Sequence, residues 1–345
     1  MTDTRGTFRL KEVRQDILNN EYISMPSIYV GENQNVGYTK CYNQFQYKLN
    51  FSTEVSTVTT HQPVIRLSPT ATSNPTHAWY IGGEYSPSGN PGYVTDSQKI
   101  TYATDTAADN PSSRLPGPRA AVGGLSGQSH SYLMGGIPYT LTTVSKLTYA
   151  NDTTVDLPGS HLSAAVYNVQ SGTAGGASGY IFAGGTSDYS ETQRITFSND
   201  TRTTLPSSSR MDPINENGSG DGVPYWGAGK MQCSTHCYYA GGNPSGGNYT
   251  STFQKLTFAN ETWAVNPSKM SRAVRNVGGF TASPTQGAIA GGQTPSGGSG
   301  TSSVDFVTFE TDTWDTSPSM TLPATPGGTA GAYYNQVSTT TIHDS

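Results

Sequence analysis

One phrase recurs six times in this chain: KLNFSTE, KITYATD, KLTYAND, RITFSND, KLTFANE and FVTFETD, ending at Glu54, Asp105, Asp152, Asp200, Glu261 and Asp312. The acidic residues lie 51, 47, 48, 61 and 51 positions apart. Repeats of this size build folds in which each unit buries its hydrophobic face against its neighbours. The 345 residues, which length alone would allow as two or three domains, therefore read as one repeating body.

A second landmark keeps step with the first. Glycine pairs at Gly82–Gly83, Gly135–Gly136, Gly184–Gly185, Gly241–Gly242 and Gly291–Gly292 close the runs AWYIGG, SYLMGG, YIFAGG, YYAGG and AIAGG, and SIYVGE, ending at Gly31 and Glu32, reads as a degenerate sixth copy. The runs are rich in strand-forming residues, and glycine can take the positive φ that ends them. In KLTYAND the side chains alternate, with Leu147 and Tyr149 on one side and Lys146 and Thr148 on the other, the period of a strand. The Asn and Asp that follow tolerate left-handed backbone and mark a tight hairpin corner. The small-residue segments Arg119-Ala120-Ala121-Val122, Ser163-Ala164-Ala165-Val166 and Arg272-Ala273-Val274 are expected to supply the first strand, crowded against a central axis.

Each unit thus reads as four strands, the content of a β-propeller blade. A glycine pair closing the second strand, an aromatic in the third, an acidic turn and a tryptophan in the fourth together resemble the kelch repeat, and Trp263 and Trp314 stand at the tryptophan position. Ala107, Thr154 and Arg202 replace it in other units, so the resemblance is kelch-like. It spans Ser27 to Gln336 and implies an all-β, six-bladed propeller with four strands per blade.

The first unit shows its second, third and fourth strands around 27–30, 45–51 and 55–60 but no first strand. The segment Gly328 to Tyr334 is expected to return as that missing strand and close the first blade, which removes exposed sheet edges. The expected organisation is an arm over 1–22 and a propeller over 23–345, with blades at 23–60 plus 327–337, 61–111, 112–158, 159–206, 207–267 and 268–318. The arm is set apart by eight charged residues within the first 21. Leu10, Val13, Ile17 and Leu18 would line one face of a short helix in it, a stripe suited to docking, whether as a plug beneath the ring or on a neighbouring subunit.

A formal charge of −5 with 19 Lys and Arg offers no basic stripe for phosphate neutralisation, so nucleic acid is not an expected partner. No apolar stretch approaches the roughly 20 residues of a membrane helix, and no signal-like segment opens the chain. Without one, the Asn-x-Thr motifs at Asn151, Asn199 and Asn260 read as turns rather than glycan acceptors. Three cysteines, Cys41, Cys233 and Cys237, give no disulfide framework. CSTHC is expected to lie in a strand running up to Gly241, where four residues span about 13 Å, too far for two sulfurs to share a metal ion. No metal or cofactor is expected.

The loops after the glycine pairs vary while the acidic corners hardly change, and variable loops on a rigid frame are where recognition resides. Tyr85, Tyr93, Tyr139, Tyr189 and Tyr249, with Asp188 and Asn243, lie in those loops, and the excursion from Pro206 to Val223 adds Arg210. Tyrosine among Gly, Ser and Asn is the chemistry of adaptable binding surfaces. No HExxH, nucleophile elbow or phosphate loop occurs, and the six histidines read as scattered. The chain is therefore read as non-enzymatic.

The kelch-like resemblance carries an alternative, a carbohydrate-active enzyme of the sugar isomerase or copper oxidase type acting at the channel mouth. The oxidases need a cysteine beside a tyrosine and two histidine ligands; Cys41 stands beside Tyr42, but no histidine pair falls in facing loops. The opening RGTFRLKEV, with units ending YANDT and FSNDT, resembles repeat proteins of marine cyanophages, carried on the virion and often associated with tail fibres. That resemblance implies a virion protein, made in the host cytoplasm and working in a homo- or hetero-oligomeric assembly. It would hold other virion proteins through the arm and a host surface polysaccharide through the loops.

Overall fold

The computed structural model describes residues 36–40, 46–51, 53–58, 69–85, 92–127, 129–138, 141–166, 171–175, 177–182, 191–211, 228–242, 249–275, 277–283, 285–295, 301–322 and 338–341. Their architecture is all-β, in a propeller arrangement. Sheet 1 holds β1 (Val36–Lys40), β2 (Gln46–Asn50) and β3 (Val55–Val58). Sheet 2 holds β4 (Thr70–Ser73), β5 (His77–Ile81), β8 (Ser97–Thr101) and β9 (Thr106–Asp109), with a ribbon of β6 (Glu84–Tyr85) and β7 (Gly92–Tyr93) inserted after β5. Sheet 3 is β10 (Gly123–Ser126) to β13 (Thr153–Asp156), through β11 (His130–Met134) and β12 (Val144–Thr148). Sheet 4 is β14 (Ser171–Gly175), β15 (Ser178–Phe182), β16 (Thr192–Thr196) and β17 (Thr201–Thr204). Sheet 5 is β18 (Gly229–Gln232), β19 (His236–Ala240), β20 (Phe253–Thr257) and β21 (Thr262–Val265). Sheet 6 is β22 (Gly278–Ser283), β23 (Gln286–Ala290), β24 (Ser303–Thr308) and β25 (Thr313–Thr321). A last strand, β26 (Ser338–Thr341), pairs antiparallel with β1 and makes sheet 1 four-stranded.

Contiguous chain therefore forms five complete four-stranded blades, sheets 2 to 6, and the two ends of the chain share the remaining sheet. The inner strands β4, β10, β14, β18 and β22 touch in succession, and β26 touches both β22 and β4. Most core clusters among the described residues lie between two neighbouring sheets: Leu125, Ile181 and Ile195 are buried together, as are Phe182, Tyr239 and Leu256.

The corners form as the residue types dictate. Glu54, Asp105, Asp152, Asp200, Glu261 and Asp312 all hold φ between 51° and 56°, and the side-chain amides of Asn151, Asn199 and Asn260 accept from the Thr two residues on. Among the glycine pairs, Gly82 takes φ 67°, and a Cβ there would meet the Arg119 carbonyl oxygen at 2.5 Å, so a side chain is excluded by both backbone and space.

Three expectations about strands are corrected. The small-residue segments are not first strands. They lie just before them, where the chain crosses between sheets, and make isolated bridges such as Ala120 to Ile137, Leu141 to Val166 and Thr250 to Val274. Ala121 at φ 53° interrupts any extended run there. In sheet 1 the strand preceding β2 is Val36–Lys40, and the proposed copy at 27–30 lies outside the described residues. The closing strand is Ser338–Thr341 rather than the Gly328–Tyr334 segment, which also lies outside them. A Ser-Thr-Thr-Thr run favours the pleated edge position more than a glycine-rich one does.

Candidate functional site

The corner face is held by a clasp that repeats from sheet to sheet. A cation on the third strand of one sheet reaches the acidic corner of the next: Lys48 to Asp105 at 2.8 Å, Lys99 to Asp152 at 2.8 Å, Lys146 to Asp200 at 2.9 Å, Arg194 to Glu261 at 2.6 Å and Lys255 to Asp312 at 2.5 Å. An aromatic on the second strand donates to the same carboxylate: Trp79 Nε1 to Asp152, Tyr132 Oη to Asp200, Tyr180 Oη to Glu261 and Tyr238 Oη to Asp312. Its ring stacks on the aromatic three residues before that carboxylate, with Trp79 on Tyr149 at 4.8 Å, Tyr132 on Phe197 at 5.5 Å, Tyr180 on Phe258 at 5.4 Å and Tyr238 on Phe309 at 5.1 Å. Such stacks contribute about 0.5–1.5 kcal/mol each beyond area burial. Burial and the hydrogen bond to Asp200 push the Tyr132 phenol well above its usual range, so it acts as a fixed donor.

The junction from sheet 6 to sheet 1 is built differently. Phe306 occupies the cation position and meets Phe51 edge to face at 6.1 Å, while Ser317 Oγ donates to Glu54 at 2.6 Å.

Between sheets the chain turns through a short 3₁₀ segment at Pro111–Ser113, Pro158–Ser160 and Ser207–Ser209. Each ends in a buried Ser and is followed two residues later by a buried Leu115, Leu162 or Met211. On the opposite face two arginines reach into the tops of the blades. Arg272 is bonded to the fully buried Asp305 at 2.7 Å and to the Gly291 and Ser303 carbonyls. Arg119, only 3% exposed, caps the Gly135 carbonyl at 3.2 Å but meets Ser145 Oγ at 2.7 Å where Asp305 stands in sheet 6. Burial lowers the Arg119 guanidinium to about 10, against the pull of Asp156.

The loop residues expected to bind are only partly on view. Tyr85, 42% exposed, and Tyr93 stand on the β6–β7 ribbon; Glu84 pairs with Tyr93 across it, so Tyr85 projects from the other side. Tyr249 lies under the Arg275 guanidinium, whose carbon is 4.6 Å from the ring centre, and Arg275 Nε donates to Gln293 at 3.0 Å. Arg210 reaches Glu191 at 3.9 Å. Among the described residues the expected positions thus fall on three connections, with Tyr85 and Tyr93 on one ribbon and Tyr249 and Arg210 each elsewhere. Tyr139, Asp188, Tyr189 and Asn243 lie outside the described residues, as do Leu10, Val13, Ile17 and Leu18 of the arm.

CSTHC is not one strand. The Cys233 amide bonds the His236 carbonyl across a turn, and β19 begins only at His236. Cys233 packs against the cluster toward sheet 6 and Cys237 is buried in the cluster toward sheet 4, so the two sulfurs sit on opposite sides of sheet 5. Three of the six histidines are not scattered either. His77, His130 and His236 open β5, β11 and β19, the same position in three sheets. The repeated T-H-A-W, S-H-S-Y and T-H-C-Y signals, like the cation six residues before five of the six acids, are legible in the sequence.

No protein-family model matches the chain, and a search of curated proteins finds no match to it.

Proposed function

We propose that the chain is a non-enzymatic, six-bladed, kelch-like propeller, a structural component of a phage particle, tail- or fibre-associated. It holds a neighbouring virion protein through residues 1–22 and engages a host surface glycan through its loop face. The observation that carries this reading is the contrast between the two faces. The corner face spends its charged and aromatic groups on sheet-to-sheet clasps, whereas the loop face leaves Tyr85 exposed on a projecting ribbon and sets Arg275 over Tyr249. Exposed tyrosine and a guanidinium–aromatic platform suit stacking against sugar rings and polar protein surfaces. In the six-bladed reading, sheet 1 is the blade that closes the ring, supported by the contacts of β26 with β22 and β4.

The test is binding of the purified protein, with and without residues 1–20, to intact cyanobacterial cells and their extracted polysaccharide, with sugar turnover assayed in parallel. Binding independent of the arm, without turnover, is expected. Turnover of a sugar substrate would favour the enzyme reading, and failure of both forms to bind would leave only the virion-partner half of the proposal.

A further inference from the structure

His77, His130 and His236 each sit where a clasp is assembled. Each ring's Nδ1 lies within hydrogen-bond distance of the preceding hydroxyl, Thr76 at 2.7 Å, Ser129 at 2.8 Å and Thr235 at 2.7 Å. His130 extends the arrangement into a chain: its Nε2 is 2.9 Å from Tyr132 Oη, which itself donates to Asp200 at 2.6 Å. With the tyrosine proton committed to the carboxylate, Nε2 must carry the donated hydrogen. Nδ1 is left to Ser129, accepting from its hydroxyl when the ring is neutral and donating to it when the ring is protonated. The rings also touch the clasp aromatics, His130 lying edge-on to Tyr132 and Phe197 at 5.1 and 5.8 Å, and His77 beside Trp79 at 5.8 Å.

We propose that these three histidines make the propeller acid-sensitive: their protonation loosens the junctions between sheets 2 and 3, 3 and 4, and 5 and 6. The junction between sheets 4 and 5, where Ser178 opens the equivalent strand, does not respond.

The groups facing each ring set the sign. The charges acting on His77 are Lys99 on β8 and Asp152 at the next corner; on His130, Lys146 on β12 and Asp200; on His236, Lys255 on β20 and Asp312, and His130 also meets the Tyr132 phenol and His236 the Cys233 thiol and the Tyr238 ring. Burial first, and then the neighbouring lysine, lowers all three imidazoles below their ordinary value of 6.5, with the aspartates opposing. As pH falls the unfolded chain therefore takes up these protons before the folded chain does. The folded state loses stability from pH 6.5 downward, through the lower folded values.

The chain itself supplies the control substitution, since Gln286 opens the equivalent strand of sheet 6. Melting temperatures of the full chain and of its H77Q/H130Q/H236Q variant should be compared between pH 7.5 and 5. The wild type is expected to shift downward more than the variant, with the gap widening as pH falls; parallel profiles would overturn the proposal. Should the triple variant not fold, hydrogen-exchange protection factors of the wild type at the Asp152, Asp200 and Asp312 corners, taken against the Glu261 corner, decide it. Loss of protection at the first three alone is expected, and uniform loss or none would contradict it.

Discussion

Lys146 and Asp200 belong to adjacent sheets and to positions 54 apart in sequence, yet the ammonium lies 2.9 Å from both carboxylate oxygens. The Tyr132 hydroxyl completes the carboxylate's shell, and the Ser160 hydroxyl donates to the Asp200 backbone carbonyl. One residue thus ends a hairpin at φ 56° and ties three segments of the preceding sheet and its connector to the next.

Replacing Asp200 by Asn keeps the shape and a side chain tolerant of that backbone while removing the charge. It is expected to cost about 1–3 kcal/mol in urea unfolding, as for other hydrogen-bonded charges. Asp105→Asn, at a corner whose carboxylate is 40% exposed, is expected to cost under about 1 kcal/mol.

The penalty of Asp200→Asn should depend on pH. Burial opposes ionisation of Asp200, but the hydrogen bonds from Lys146 and Tyr132 outweigh it and lower the carboxyl below its ordinary 3.8. Its stabilisation is then complete above the ordinary carboxylate range and lost as pH falls through the folded value. Unfolding free energies of wild type and variant should converge below that value; a constant difference would refute the assignment.

Arg272 and Arg119 make a matched pair. Asp305→Asn leaves the partly buried Arg272 without its carboxylate and is expected to cost about 3 kcal/mol, the lower end for a broken buried pair. Ser145→Asp places a carboxylate where Asp305 stands relative to Arg272 and is expected to raise the melting temperature, since among the described residues the partners of Arg119 are two carbonyls and the Ser145 hydroxyl. A lower melting temperature for the Asp variant would show that the carbonyls and Ser145 already satisfy Arg119.

The inner strands approach closely enough to need glycine. A Cβ at Gly124 would meet the Ala71 carbonyl oxygen at 2.5 Å, and one at Gly279 would meet the Lys230 backbone nitrogen at 2.1 Å. Gly124→Ala and Gly279→Ala are expected to cost about 1–3 kcal/mol or more through overpacking. Gly117→Ala, with nothing within 4 Å of the added carbon, should be within about 0.5 kcal/mol of wild type.

The architecture was readable because its signals are local: an acid that tolerates positive φ, a glycine pair that ends a run, an alternating third strand. The first strands are misplaced by composition because it does not distinguish a small-residue strand from a small-residue crossing, which the isolated bridges and the positive φ of Ala121 reveal. The clasps escaped for a different reason. Lys146 and its own corner Asp152 lie close in sequence, but the partner it finds, Asp200, is one repeat further on. Of the loop-face residues, Tyr85 was legible as an exposed aromatic, whereas the Arg275–Tyr249 platform joins two connections that sequence spacing does not bring together.

The most direct test of the account is titration of host surface polysaccharide against the wild type, a Y85A/Y249A loop-face variant and a V155A control on an outer strand. The account predicts saturable binding by the wild type and the control and weakened binding by the loop-face variant at unchanged melting temperature. Equal binding by all three, or none by any, would contradict a glycan-recognising loop face.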